Sequence, residues 1–252
     1  MIKKITIIGS GNLATKLSLA LKQSKLNIPQ IISRNPKTGL LLAKQTKSVF
    51  TNNFNNILPT DLIIICINDD HICSVIKNLP DIAMVHTSGS TDMNVFIDKK
   101  NYGVIYPIQS FNTNLDIDFR KIPICIESNN KVLGEKLINL GNKISKKVFY
   151  LNSEKRKHIH LAAVIAANFS NFCYLIAKKY LDEQNLDFDL LKPLIIETAK
   201  KAVTQNPFLS QTGPAKRGDQ KIINQHLEML NDKNYKKIYK LLSENILMKY
   251  GK

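Results

Sequence analysis

Over the first 150 residues, short runs of β-branched and other apolar residues alternate with stretches whose apolar positions recur every three or four residues. The runs at 4–9, 29–33, 62–67, 84–86, 103–106, 122–126 and 148–151 predict strands, and the stretches at 13–23, 38–44, 72–78 and 131–143 predict helices between them. Strands alternating with helices argue for a doubly wound α/β fold, a parallel sheet with helices on both faces. After residue 152 the strand pattern stops. Helical spacing fills 153–185, 188–205, 219–231 and 234–249, with Asn152, Ser153 and Glu154 as start signals and Asp232 and Asn234 as punctuation before the last helix. The expected organisation is an α/β domain at 1–152 followed by an all-helical C-terminal domain at 153–252. Residues 161–177 form 17 positions without a charge, slightly short for a bilayer and interrupted by Asn168, Ser170 and Asn171. A helix packed between other helices or at a dimer interface is expected there, and no membrane span.

Composition narrows the class without changing the picture. With 252 residues, 44% of them hydrophobic and 22% charged, the chain has material for one large or two modest globular domains and is not disordered. Cys66, Cys73, Cys125 and Cys173 are scattered with no CxxC pair and no His/Cys cluster at metal-ligand spacing. Neither a disulfide framework nor a metal site is expected, and the usage fits a reducing cytoplasm. The opening apolar run is broken at Gly9 too early for an export signal. The net charge of +16 invites a nucleic-acid reading, but only Arg34, Arg120, Arg156 and Arg217 are arginines and the lysines are spread along the chain. A solvated lysine surface is the expectation, with no nucleic-acid partner.

Residues 9–14, Gly9-Ser10-Gly11-Asn12-Leu13-Ala14, read GxGxxA between a predicted strand and a predicted helix. Gly9 suits a tight turn, Gly11 lets backbone approach a pyrophosphate, Ala14 allows close helix packing, and the helix N-terminus presents unpaired N–H groups to phosphate. Gly9, Ser10, Gly11, Asn12 and Leu13 are therefore candidate cofactor-binding residues. An NAD site places an acidic residue about 20 positions on, yet the first acidic residue of the chain is Asp61. The second strand ends instead in Ser33-Arg34-Asn35, a hydroxyl, a guanidinium and an amide where a 2′-phosphate would lie, so NADP is the expected cofactor. Ligands sit outside the carboxyl ends of strands in such sheets. Asn68 and Asp69, after the strand at 62–67, are accordingly expected beside the cofactor, with Asp70 as a helix cap.

A second series of motifs follows: His86-Thr87-Ser88-Gly89-Ser90, then Gly103 through Tyr106-Pro107 to Phe111, then His160 through Asn168, then Thr212-Gly213-Pro214-Ala215-Lys216-Arg217-Gly218-Asp219. With the opening fingerprint, these resemble the bacterial family of Rossmann-like proteins carrying a DUF2520 C-terminal domain, over nearly the whole chain. More distantly the layout is similar to pyrroline-5-carboxylate reductases, ketopantoate reductases and 6-phosphogluconate-type dehydrogenases. The resemblance implies a Rossmann sheet, a nicotinamide cofactor, a helical substrate domain and a homodimer. Tyr106 stands where that family more often has His.

Hydride transfer needs a proton donor for the atom that gains charge. His160 is the candidate, near the start of an apolar helix, with Asn168 two turns on and offset by 80° at 100° per residue. Ser88 is a candidate hydrogen-bond donor to a substrate carbonyl or carboxylate. The Ser88-Gly89-Ser90 turn lacks the GxSxG spacing of a hydrolase elbow. Thr212 and Arg217 either hold an acidic substrate, complete the cleft from a second subunit, or belong to an architectural loop. The expected function is an NADP-dependent oxidoreductase acting on a small carbonyl or imine; the alternative is a non-catalytic NADP-binding sensor or scaffold.

Overall fold

The computed structural model describes residues 1–112 and 115–251. Its elements run β1 (Ile5–Ile8), α1 (Asn12–Gln23), β2 (Gln30–Ile32), α2 (Pro36–Thr46), β3 (Val49–Thr51), β4 (Leu62–Ile65), α3 (Ile72–Ile76), β5 (Met84–His86), β6 (Tyr102–Pro107), β7 (Ile124–Ser128), α4 (Lys131–Ile144) and β8 (Val148–Tyr150). They continue as α5 (Ser153–Ala163), a π turn at Val164–Phe169, α6 (Ser170–Glu183), α7 (Lys192–Thr204), α8 (Pro207–Ser210), α9 (Pro214–Arg217), α10 (Gln220–Met229) and α11 (Lys233–Tyr250). The eight strands form one sheet in the order β3-β2-β1-β4-β5-β6-β7-β8. All neighbours pair in parallel except β6 with β7.

The sheet is doubly wound because every inner strand is apolar on both faces. Ile5, Ile7, Ile31, Leu62 and Ile64 point into one core with Leu17 and Leu21 of α1 and Leu133, Leu137 and Leu140 of α4. Their sequence neighbours Ile8, Ile32, Ile63 and Ile65 point into the other, with Ile72 and Ile76 of α3 and with Phe96. Register aligns Ile8 with both Ile32 and Ile65, and Ile65 with His86. The residues after β1, β2, β4 and β5 therefore meet along one carboxyl edge. β3 was not expected from the sequence: Val49 is exposed and Phe50 and Thr51 are half-buried, so this three-residue edge strand has no apolar run to announce it.

Contacts divide the chain into two compact units, Met1–Ala167 and Asn168–Lys252, so α5 belongs with the sheet. In the second unit the ring stacking of Phe208 on Tyr250 (centroids 4.8 Å apart), Lys216 over the Tyr250 ring and the His226–Tyr239 hydrogen bond of 2.7 Å tie α8 to α11 together. The run Ser153–Glu183 is long and apolar enough, by length and composition alone, to cross a membrane; its most apolar window has a mean hydropathy of 1.6 and none of that window is buried. Leu161, Ile165, Phe169, Phe172 and Leu175 are exposed. The first of the two expectations for 161–177, packing between other helices, is thus not met within one chain.

His86 ends β5 fully buried, stacked on Phe96 with ring centroids 5.6 Å apart, and its Nδ1 accepts the Ser88 N–H at 3.1 Å. Burial, reinforced by the nearby Arg156 charge, pushes its imidazole down to about 4 from an ordinary 6.5. Between those values the unfolded chain binds a proton that the folded chain excludes. The stability that the neutral ring contributes is complete above pH 6.5 and is lost as pH falls toward 4, on the order of 3 kcal/mol in all. The melting temperature should therefore fall with acidification across this window, and less steeply in His86→Gln. Parallel pH profiles for the two proteins would contradict this.

Candidate cofactor and catalytic site

The β1–α1 turn is built around Gly9. Its φ is +119°, and a Cβ there would stand 2.1 Å from the Cys66 carbonyl oxygen at the end of β4, so no side chain fits by either criterion. Gly11, at the N-cap of α1, supplies no capping side chain, and nothing lies within 4 Å of where its Cβ would be. The first-turn N–H groups of this 12-residue helix thus have no side-chain cap and no acidic residue beside them. The Asn12 amide donates to the Phe111 carbonyl at 3.0 Å, and Leu13 packs on the core. Ala14 is fully buried, as close helix packing requires.

At the end of β2 three hydroxyls converge. Ser10 Oγ lies 2.7 Å from Ser33 Oγ and 2.6 Å from Thr38 Oγ1, and Ser33 Oγ accepts the Asn35 N–H at 3.2 Å. Asn35 caps α2 by accepting the Thr38 N–H at 3.3 Å, so its amide is a structural cap first. Arg34 is exposed and has no hydrogen bond or ion pair among the described residues. A cavity of about 450 Å³ joins the two turns, bounded by Gly9, Ser33, Arg34, Asn68 and an apolar wall of Phe54, Ile67 and Val75. These residues fit NADP: uncapped N–H groups for the pyrophosphate, an apolar slot for adenine, and an unpaired guanidinium beside hydroxyls for a 2′-phosphate. Thr38 was missed in the sequence because its role depends on α2 starting at Pro36, two residues before the expected start.

Further along the same edge, Ser88 Oγ donates to the Asp69 carboxylate at 2.7 Å, and Ser90 Oγ donates to the same oxygen. Asp69 and Ser88, expected in separate roles, therefore form one cluster. Asp70 is not a cap: α3 begins after a 3₁₀ turn at Asp69–His71, and neither turn has a side-chain cap bond. Beside Ser88, Gly89 leaves room for an imidazole, since a Cβ at Gly89 would stand 2.5 Å from Nδ1 of His160. His160 is half-buried, while His158 is exposed. Tyr106, buried on β6, approaches Nδ1 of His160 at 3.0 Å through its hydroxyl.

The helix that carries His160 is anchored by a buried ion pair that the sequence did not announce. Arg156, fully buried one turn before His160, bonds through its guanidinium to the Glu127 carboxylate on β7 and to the Thr91 carbonyl. Glu127 also accepts Ser153 N–H and Ser153 Oγ–H, each at 2.7 Å. Removing one partner of such a pair strands a charge in the interior, which costs about 3–5 kcal/mol. The available signal was a lone glutamate closing an otherwise apolar strand, and an arginine four residues before the candidate histidine.

Asn168 is exposed in the π turn, which breaks the 100°-per-residue count that had set it near the His160 face. Arg217 is held by Asp219, two residues on, at 2.9 Å and 2.7 Å. Burial pushes the Cys66 and Cys125 thiols up to about 12, so neither supplies a thiolate near neutral pH.

Comparison with known proteins places this geometry. Residues 4–87 match the family described as NADP oxidoreductase, coenzyme F420-dependent, and residues 122–246 match the domain of unknown function DUF2520. No curated protein matches. Among solved structures, the Bacteroides fragilis protein BF3122, described provisionally as an NADP oxidoreductase, is 36% identical, with a TM-score of 0.92 over 98% of each chain. Protein TM1727 of Thermotoga maritima is 26% identical, with a TM-score of 0.76 over 95% of this chain and 98% of that one. An imine reductase of Myxococcus stipitatus in complex with NADP+ shares the fold at 14% identity, with a TM-score of 0.64 over 97% of this chain and 92% of that one. The turn at Gly9, the unpaired Arg34 and these full-length likenesses agree: the chain belongs to the NADP oxidoreductases that join a Rossmann domain to a DUF2520 domain.

Proposed function

We propose that this NADP oxidoreductase moves a hydride to or from a small molecule bearing a C=O or C=N bond, with His160 exchanging the proton. NADPH, when bound, supplies the hydride from its nicotinamide ring. The observation that carries the reading is the half-buried imidazole of His160, held against Gly89 at the same sheet edge as the uncapped turn at Gly9. His160 would protonate the oxygen or nitrogen that gains charge. Ser88 would orient the substrate atom by turning its hydroxyl proton from Asp69 to the substrate, and Asn168 is retained as a candidate for the same task. The imine reductase and the Aspergillus terreus reductive aminase with NADPH have this fold, which favours testing C=N compounds beside carbonyls.

The protein is read as cytoplasmic, since all four cysteines are free thiols. It is also read as a homodimer in which a second copy covers the exposed apolar residues of 161–175 rather than a membrane. Sedimentation velocity should give about twice the 28.5 kDa chain mass; a monomer at micromolar concentration contradicts it.

Arg34→Ala should weaken NADPH binding by roughly 10- to 100-fold, the worth of a charge-assisted hydrogen bond, and leave NADH binding nearly unchanged. Equal losses for both nucleotides would remove the 2′-phosphate role. In a screen of carbonyl and imine compounds for NADPH oxidation, His160→Ala should lower turnover by a factor of about 10² or more, with His158→Ala close to the unaltered protein. Equal activities of the two variants would reassign the proton donor. NADPH binding without turnover of any compound would favour a sensor.

A further inference from the structure

Tyr106 has no assigned task, yet it is the residue that touches His160 most directly. Its hydroxyl lies 3.0 Å from Nδ1, and the two rings meet edge to face with centroids 5.9 Å apart and an interplanar angle of 75°. Gly89 permits this approach, because a Cβ there would also come within 2.8 Å of the tyrosine ring. The histidine has little freedom to move away, since Arg156 locks α5 to β7 and to the Thr91 carbonyl one turn earlier. The described residues give the Tyr106 hydroxyl no hydrogen-bond partner besides Nδ1 of His160.

We propose that Tyr106 is the positioning residue for His160: its hydroxyl holds Nδ1, fixes the ring in one orientation, and leaves Nε2, on the far side of the ring, as the nitrogen that exchanges a proton with substrate. This rests on the function proposed above for His160. A phenol can donate to a bare Nδ1 and accept from a protonated one, so it serves both states of the ring. Burial pushes the Tyr106 hydroxyl above its ordinary 10, so it keeps its own proton throughout and acts as a holder, not as the acid. In a reduction, the protonated ring gives its Nε2 proton to the substrate atom that gains charge. The ring ends neutral, with its remaining proton between Nδ1 and the Tyr106 oxygen, and water restores the proton that left. The balance closes with no electrons moved on the protein.

The test is a long-range proton–nitrogen correlation spectrum of the full chain labelled at histidine nitrogen, with His160→Gln identifying the His160 signals. With its ring neutral, His160 of the unaltered protein should show one fixed tautomer with Nδ1 in a hydrogen bond, while Tyr106→Phe should show the averaged pattern of a free imidazole. Averaged signals in the unaltered protein, or the same fixed pattern in Tyr106→Phe, overturn the proposal. Should Tyr106→Phe fail to fold, as circular dichroism would reveal, the unaltered spectrum decides alone. With a substrate in hand, Tyr106→Phe should lower kcat by up to about tenfold with little change in KM. The spectra need no turnover. A fixed ring in a protein that turns over none of the compounds screened would therefore count against hydride transfer and keep this pairing, and activity with an unfixed ring would do the reverse.

Discussion

A single steric constraint sets the site: the carbonyl of Cys66 at the end of β4 occupies the space where any side chain at position 9 would go. Gly9 permits β1 to turn into α1 this close to its neighbour, and α1 then begins at the carboxyl edge of the sheet. With no capping side chain at Gly11 and no carboxylate in the first turn, those donors remain available to an anion. Ser10, in that turn, reaches across with its hydroxyl to Ser33 and Thr38.

The edge then separates two chemistries by distance along the sheet. On the β1–β2 side lie donors with no carboxylate beside them: uncapped amides, three hydroxyls that bond one another, and a guanidinium with no partner among the described residues, an environment suited to phosphate. On the β5–β6 side lie two hydrogen-bonded groups, Asp69 with Ser88 and Ser90, and Tyr106 with His160. Rigidity on this second side comes from the Glu127–Arg156 pair. A buried ion pair is a poor source of net stability, but here it fixes where a helix begins relative to a strand, and hence where a histidine one turn later can stand.

Most of the sheet was legible because buried parallel strands are written as continuous apolar runs; the strand at 84–86 appears with the expected bounds. What escaped depended on contacts rather than on pattern. β3 is too short and exposed to read, and β7 runs on through Glu127 and Ser128, polar residues whose burial only their partners explain. Asn12 and Asn35 were read as cofactor ligands by position, whereas the fold uses their amides to hold the Phe111 carbonyl and to cap α2. Asn168 was placed by an ideal helical count that the π turn interrupts. The dinucleotide turn was the most legible part of the site, since it needs only local geometry. Tyr106 was visible merely as a departure from a resembling family, and its partner 54 residues away emerged only from the folded chain.

The central claim is that a pyrophosphate sits on the turn at Gly9 and that Arg34 selects the phosphorylated ribose. Calorimetric titration of the unaltered protein with NADPH and with NADH tests it most directly. Binding of both nucleotides with NADPH tighter by tenfold or more is the predicted result; tenfold corresponds to about 1.4 kcal/mol. Absence of heat with either nucleotide, or NADH binding as tightly as NADPH, would contradict it.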